Sequence, residues 1–185
     1  MIPQDKKFLF WVALAFGLSG FVEVSAIEPG TWSVKSPAPT KRTEVAVAAI
    51  GDKIYVVGGF GRLGVTALVE EYDALQGRWR EVASLPKAVH HAGIGAANGR
   101  LYVIGGFTGN FSWTPSDAVY EYDPGLDRWT AKKPMPTARG ALAVGVYQSN
   151  LYAVGGYADG QNASANEMYH PVLDRWDRKA SLPTP

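Results

Sequence analysis

The sequence has no cysteine and no long run of charge of one sign. Without cysteine, a disulfide framework and a lipoprotein acylation site are excluded, so the chain must be stabilised by packing alone. The sequence has 18 Lys and Arg residues and 17 Asp and Glu residues, which gives a net charge of +1. No basic run suggests binding to nucleic acid and no acidic tail suggests a solvating segment, so we predict no nucleic acid partner.

The apolar run near the N-terminus is too short for a stable membrane span. It covers residues 8–22, which is 15 residues, whereas a spanning helix needs about 20. Lys6 and Lys7 precede this run, and Val24-Ser25-Ala26 follows it. A basic segment, a short apolar segment and a small-residue site together predict a signal peptide over residues 1–26, cleaved after Ala26. We therefore expect a secreted or periplasmic protein.

The remaining chain contains one unit repeated three times. Each copy has a glycine pair, then a tyrosine, then a tryptophan seven residues after the tyrosine. The glycine pairs are 47 and 50 residues apart. The three copies carry Gly58-Gly59, Tyr72 and Trp79; Gly105-Gly106, Tyr122 and Trp129; and Gly155-Gly156, Tyr169 and Trp176. Such a period indicates stacked repeats of one supersecondary unit.

Each copy predicts four β-strands, a to d. Strand a is apolar and rich in small residues, in segments 45–49, 92–97 and 141–146. Strand b ends in the glycine pair, strand c ends at the tyrosine, and strand d begins at the tryptophan. Turn-forming residues separate the strands, and the inner runs are apolar without clean alternation, which is typical of sheets covered on both faces. If the four-stranded sheets are blades arranged around a central axis, the small residues of strand a fit near the axis, where the blades converge. Tyrosine and tryptophan then fill the wider space between the outer parts of the blades.

On these residues the chain resembles the kelch-repeat family of β-propellers, over about residues 31–185. The resemblance implies an all-β kelch-type propeller of three four-stranded blades in an incomplete ring, formed by residues 27–185. The blades are expected at about 43–84, 90–133 and 140–181, with a lone strand d over residues 31–36.

Kelch propellers usually close with six or seven blades, and only three complete units are present. One explanation is a truncated gene. The other is a half-ring that pairs with a second copy to make six blades, which predicts self-association.

The long b–c loops are the predicted binding surface, because long loops grouped on one face of a rigid scaffold commonly carry function. They cover residues 60–68, 107–117 and 157–165. The middle loop adds Phe111 and Trp113, which can stack on a sugar or hold a peptide. The alternative is that both rings fold onto the base of their own loop as a small satellite core.

Arg42 and Arg139 occupy equivalent positions before strand a. The family resemblance implies that an arginine here faces the channel mouth and contacts ligand, which suits a carboxylate or an acidic peptide. The alternative is that each arginine binds loop carbonyls or a nearby glutamate such as Glu44, Glu71 or Glu121.

Blade 2 departs from this pattern, because Val89 holds the arginine position and is followed by His90 and His91. The two histidines are candidate ligand-binding residues. Adjacent strand residues point to opposite faces, so they are poorly placed to chelate one ion. We predict no metal site, no cofactor and no catalytic residue. The copper chemistry of some kelch oxidases needs a cross-linked cysteine and is excluded for these 185 residues.

Two functions remain open. The first is an exported binding module that presents its d–a and b–c loops to a protein or glycan and catalyses nothing itself. The alternative is a fragment of a secreted sugar-processing enzyme resembling N-acetylneuraminate epimerase, which rests on analogy of fold. The binding function is favoured because no nucleophile–base pair or phosphate loop is evident.

Overall fold

The computed structural model describes residues 30–111 and 113–185. Residues 35–185 form one compact unit, and every strand within the described ranges belongs to it. The predicted signal peptide lies outside the described residues. Within the described ranges, no helix is long and apolar enough to cross a membrane.

Each predicted blade is one sheet of four antiparallel strands, with a short hairpin in its b–c loop. Blade 1 comprises β1 (Ala46–Ile50), β2 (Lys53–Val57), β3 (Phe60–Gly61), β4 (Gly64–Val65), β5 (Val69–Asp73) and β6 (Arg78–Val82). Blade 2 comprises β7 (Gly93–Ala97), β8 (Arg100–Ile104), β9 (Phe107–Thr108), β10 (Thr114–Pro115), β11 (Val119–Asp123) and β12 (Arg128–Lys132). Blade 3 comprises β13 (Ala143–Tyr147), β14 (Asn150–Val154), β15 (Tyr157–Ala158), β16 (Gln161–Asn162), β17 (Asn166–His170) and β18 (Arg175–Arg178).

The four long strands of every sheet lie in chain order, as predicted for strands a, b, c and d. These orders are β1-β2-β5-β6, β7-β8-β11-β12 and β13-β14-β17-β18. The sheets are not closed into a ring. Their antiparallel order places the d–a and b–c connections on one face, called the loop face below, and the a–b and c–d turns on the other.

The glycine pairs are required because strand b ends against the backbone of the next d–a loop. Gly58 has a φ of +63°, and a Cβ there would lie 2.5 Å from the carbonyl oxygen of Val89. Gly105 has a φ of +64°, and its Cβ would lie 2.5 Å from the carbonyl oxygen of Arg139. A side chain at either position would therefore meet both strain and a backbone clash.

Two positions in strand a of blade 2 need glycine because side chains of blade 3 press against them. A Cβ on Gly93 would lie 2.4 Å from Cγ2 of Val144. A Cβ on Gly95 would lie 2.9 Å from both Leu151 and Val146. Larger residues here would force the blades apart.

The outer faces of blades 1 and 3 are open in the described part of the chain. A Cβ on Gly145, the counterpart of Gly95 in blade 3, meets no atom within 4 Å. On blade 1, Val47 of strand a is half exposed. The self-association predicted from such faces stays a prediction.

Tyrosines fill the space between neighbouring blades further from the axis. Tyr55 of blade 1 meets Tyr122 of blade 2 edge-on, with ring centroids 5.6 Å apart. Tyr102 of blade 2 meets Tyr169 of blade 3 in a tilted arrangement, with ring centroids 5.9 Å apart. All four side chains are buried, and such pairs add to the stability gained from burial.

The tryptophan of each strand d forms a hydrogen bond to the chain segment that precedes its blade. The indole nitrogen of Trp129 donates to the carbonyl oxygen of Ala83 at 2.7 Å, and that of Trp176 donates to Lys133 at 2.9 Å. Trp129 therefore lies between blades, as predicted. The repeat register predicts the same packing between blades for Trp79. It instead lies on the face of blade 1 that has no described blade opposite, and it donates to Ser36 at 2.9 Å.

The lone strand d predicted over residues 31–36 is not formed, since these residues pair with no strand. A strand d needs a strand c beside it, and each described strand c already pairs with its own strand d. The carbonyl of Ser36 nevertheless takes the role that Ala83 and Lys133 have in the later blades.

Candidate functional site

The d–a loops of the three blades contact one another directly on the loop face. Glu44, His91 and Ala141 hold equivalent positions, and all three have left-handed φ values between 51° and 54°. The N–H of His91 donates to the carbonyl of Glu44 at 3.2 Å, and that of Ala141 donates to His91 at 2.8 Å. This shared conformation sets the direction of the flanking side chains.

Arg42 is not presented to the channel mouth. Its guanidinium donates to the carbonyls of Gly58 and Leu68 at 2.9 Å and of Val56 at 3.2 Å. It also forms a 2.7 Å ion pair with Glu70, and the arginine side chain is only 1% exposed. The arginine thus ties the ends of strands b and c to the d–a loop.

Arg139 repeats this arrangement in blade 3. It donates to the carbonyls of Gly155 and Ala153 and pairs with Glu167 at 2.6 Å, with its side chain fully buried. Threonine hydroxyls complete both sites, from Thr40 to Glu70 and from Thr137 to Glu167. The structure matches the structural alternative for both arginines, although the acids are not Glu44, Glu71 or Glu121. Ligand contact would first require breaking these buried bonds.

Blade 2 lacks both members of this ion pair. Val89 replaces the arginine and is buried, and Tyr120 stands at the glutamate position, packed against the same apolar cluster. An aligned comparison of the three repeats shows the two exchanges together, because Glu70, Tyr120 and Glu167 each precede the repeat tyrosine by two. That covariation is the sequence signal for a structural pair.

His90 and His91 do not point to opposite faces, so the expectation from strand alternation is wrong. His91 has a φ of 51° and lies outside any strand. The two rings therefore meet, with their Nδ1 atoms 2.7 Å apart, and Nε2 of His91 lies 2.9 Å from a carboxylate oxygen of Glu44. If His91 donates to Glu44, its Nδ1 accepts from His90, which leaves Nε2 of His90 as an acceptor.

His90 is enclosed by aromatic rings from two blades. Its ring centroid lies 4.3 Å from that of Phe60 in blade 1, and 5.7 Å and 5.0 Å from those of Phe107 and Trp113 in blade 2. Nε2 of His90 is buried without a partner among the described residues. The described chain holds no group of three or more histidine, cysteine or acidic residues arranged for a metal.

We expect acidification to weaken the fold through His90. Burial, followed by the neighbouring His91, lowers the pKa of His90, while the backbone of Gly109 and then Glu44 act more weakly in the opposite direction. The neutral ring is therefore favoured in the folded state. Its contribution is fully present above the unfolded-state pKa of about 6.5 and is lost as the pH falls below that value. The free energy of unfolding in urea should fall more steeply between pH 7.5 and 5.5 for the wild type than for His90→Phe. Parallel declines would show that His90 is not the group responsible.

The b–c loops carry exposed apolar side chains on the loop face. Leu63 of blade 1 is 91% exposed, Phe111 of blade 2 is 99% exposed and Trp113 is 51% exposed. One side of the Trp113 ring packs against Phe107, at the base of its own loop, and against His90 and His91. The satellite-core alternative therefore fits Trp113 in part, and it does not fit the exposed Phe111. The side-chain oxygen of Asn110 accepts from the N–H of Val65 at 2.8 Å, which joins the loops of blades 1 and 2.

Comparison with known proteins agrees with this architecture. The Kelch motif family model matches three consecutive segments, residues 41–86, 88–136 and 138–183. The human protein Kelch-like protein 4 (Homo sapiens) is 42% identical over 57 residues, which are 31% of this chain and 8% of that protein. The match thus spans a small part of that relative's length. Since the three motif matches coincide with the three sheets and cover most of the sequence, the chain belongs to the kelch-repeat family.

Proposed function

We propose that the protein binds a partner protein through the b–c loops of its loop face. One observation carries this proposal: Leu63, Phe111 and Trp113 are exposed on adjacent loops that Asn110 and Val65 hold together. Exposed apolar side chains grouped on one face of a soluble domain commonly mark an interaction site. Kelch repeats as a class suggest a protein-binding propeller module.

A protein partner fits these side chains better than a glycan. Aromatic rings at Phe111 and Trp113 can serve either ligand, but the aliphatic side chain of Leu63 offers no flat face for a sugar. The enzyme alternative needed an arginine-lined mouth, and both Arg42 and Arg139 are buried in ion pairs. No observation in the described chain favours it.

A peptide library displayed on phage and selected on the immobilised wild-type protein provides the test. The affinity of selected peptides is then measured for the variants Leu63→Ser, Phe111→Ser and Trp113→Ser. At least one should weaken binding about tenfold or more, since a few central apolar residues carry most of an interface's energy.

Leu126→Ser is the matched control, because Leu126 is an exposed leucine in a c–d turn on the opposite face. Its affinity for the peptides should stay at the wild-type value. Peptides that bind all four variants and the wild type equally would place the binding surface elsewhere and overturn the proposal.

A further inference from the structure

The c–d turn of blade 2 holds an aspartate that receives two hydrogen bonds on one oxygen. The hydroxyl of Tyr122 donates to Oδ1 of Asp127 at 2.7 Å, and the backbone N–H of Ala83 donates to the same atom at 2.8 Å. Blade 3 repeats the arrangement with Tyr169, Asp174 and Lys133, at 2.6 Å and 2.8 Å.

This carboxylate belongs to the junction between blades. Tyr122 comes from the aspartate's own blade, whereas Ala83 follows strand d of the preceding blade. The Ala83 N–H and the Tyr122 hydroxyl hold the pKa of Asp127 below its ordinary value, so the group is ionised at neutral pH. Two converging donors and a negative charge define a small carboxylate site that the chain itself fills.

Blade 1 has the two donors without the carboxylate. Gly77 follows Tyr72 by five residues, as Asp127 follows Tyr122. Ser36 corresponds to Ala83, because each accepts the indole N–H of the strand-d tryptophan. Within residues 30–111 and 113–185, neither the Tyr72 hydroxyl nor the Ser36 N–H donates to a protein acceptor.

At Gly77, the backbone conformation and the surrounding space would allow a carboxylate to lie where those of Asp127 and Asp174 lie in the other blades. Gly77 has a φ of 66°, and Asp127 and Asp174 have φ values of 46° and 47°, so all three turns share the left-handed conformation. A Cβ on Gly77 would meet only the Tyr72 hydroxyl oxygen, at 3.8 Å. Blade 1 differs by lacking the carboxylate and by having a hydrogen bond from the Ser36 hydroxyl to the carbonyl of Gly77 at 2.8 Å, which, among the described residues, leaves the Ser36 N–H free to donate.

We infer that blade 1 binds a carboxylate group beside Gly77, with one oxygen receiving the N–H of Ser36 and the hydroxyl of Tyr72. Exposed cations flank the position in sequence, since Lys35 precedes Ser36 and Arg78 follows Gly77. The acid at Asp73 is no obstacle, because its counterpart in blade 2 coexists with Asp127. This site lies by the c–d turn and is independent of the proposed loop-face function.

Titration of the isotope-labelled protein with acetate, followed by NMR at constant ionic strength set with chloride, tests the site. The Ser36 amide resonance should shift saturably in the wild type. In Gly77→Asp it should not respond, because the introduced side chain occupies the site. N-acetyl-aspartyl amide and N-acetyl-asparaginyl amide separate the sources of the carboxylate. A shift with the aspartyl compound and none with its amide analogue indicates an acidic side chain from a partner. A response to acetate alone indicates a small free carboxylate.

Asp127→Gly supplies the matched control by opening the same gap in blade 2. This variant should lose about 2–4 °C in Tm and regain part of it in acetate, while Gly77→Asp should gain a similar amount. If the Ala83 amide of Asp127→Gly responds to acetate and the wild-type Ser36 amide does not, blade 1 holds no such site. If neither responds, two donors do not suffice, and the inference also fails. Peptide binding at the loop face has no bearing on either result.

Discussion

Replacing Arg139 with methionine is expected to lower the free energy of unfolding by about 3–5 kcal/mol, the loss typical of breaking a buried ion pair. Methionine fills much of the space but leaves the Glu167 carboxylate buried without its partner. Three backbone carbonyls lose a donor at the same time. Urea unfolding at pH 7, followed by tryptophan fluorescence, measures the loss.

Blade 2 provides the control for this experiment, because Val89 and Tyr120 already replace the ion pair there. The double variant Arg139→Val/Glu167→Tyr should recover most of the stability lost by Arg139→Val alone, since packed apolar residues often replace a buried ion pair at little cost. A double variant as unstable as the single one would show that the burial of charge is not the source of the loss.

Trp129→Ala is expected to cost about 3–5 kcal/mol, because it removes a large buried ring between two blades. The ring stacks on Tyr122 with centroids 4.9 Å apart, and its indole N–H donates to Ala83. The same unfolding measurement reports the loss. A second consequence is that the Ala83 carbonyl loses its donor.

Trp113→Ala removes the same side chain from a loop and serves as the comparison. Trp113 is half exposed and packs against His90, His91 and Phe107, so we expect a loss of about 1–2 kcal/mol. Equal losses for Trp113→Ala and Trp129→Ala would contradict the register of the blades described above.

The strand order of each blade could be predicted because its determinants are local. The glycine pair, tyrosine and tryptophan fix strands b, c and d, and the small residues between Ala92 and Ala97 fix a strand a. The hairpins inside the b–c loops, such as β9 and β10, were missed because two-residue strands are too short to show a periodic pattern.

The candidate site was predictable only in part. For Arg42 and Arg139 the sequence left two positions open, facing the channel mouth or binding loop carbonyls and a glutamate, because the position of an arginine in the chain does not reveal which carbonyls it faces. The simultaneous replacement of the arginine by Val89 and of the glutamate by Tyr120 in blade 2 indicates that the two residues bind each other in the other blades. The meeting of His90 and His91 was not predictable, because it depends on a left-handed residue that is not glycine.

The bonds that fasten the blades also bear on the order of folding. Trp129 and Ala83 are 46 residues apart, and Trp176 and Lys133 are 43 apart. Loop-closure entropy varies slowly with length, so attaching each blade costs nearly the same. No sheet pairs a strand of blade 1 with a strand of blade 3 in the described unit. A chain emerging from the ribosome can therefore complete blade 1 and then add each later blade to a finished one, with no closure that spans the whole unit.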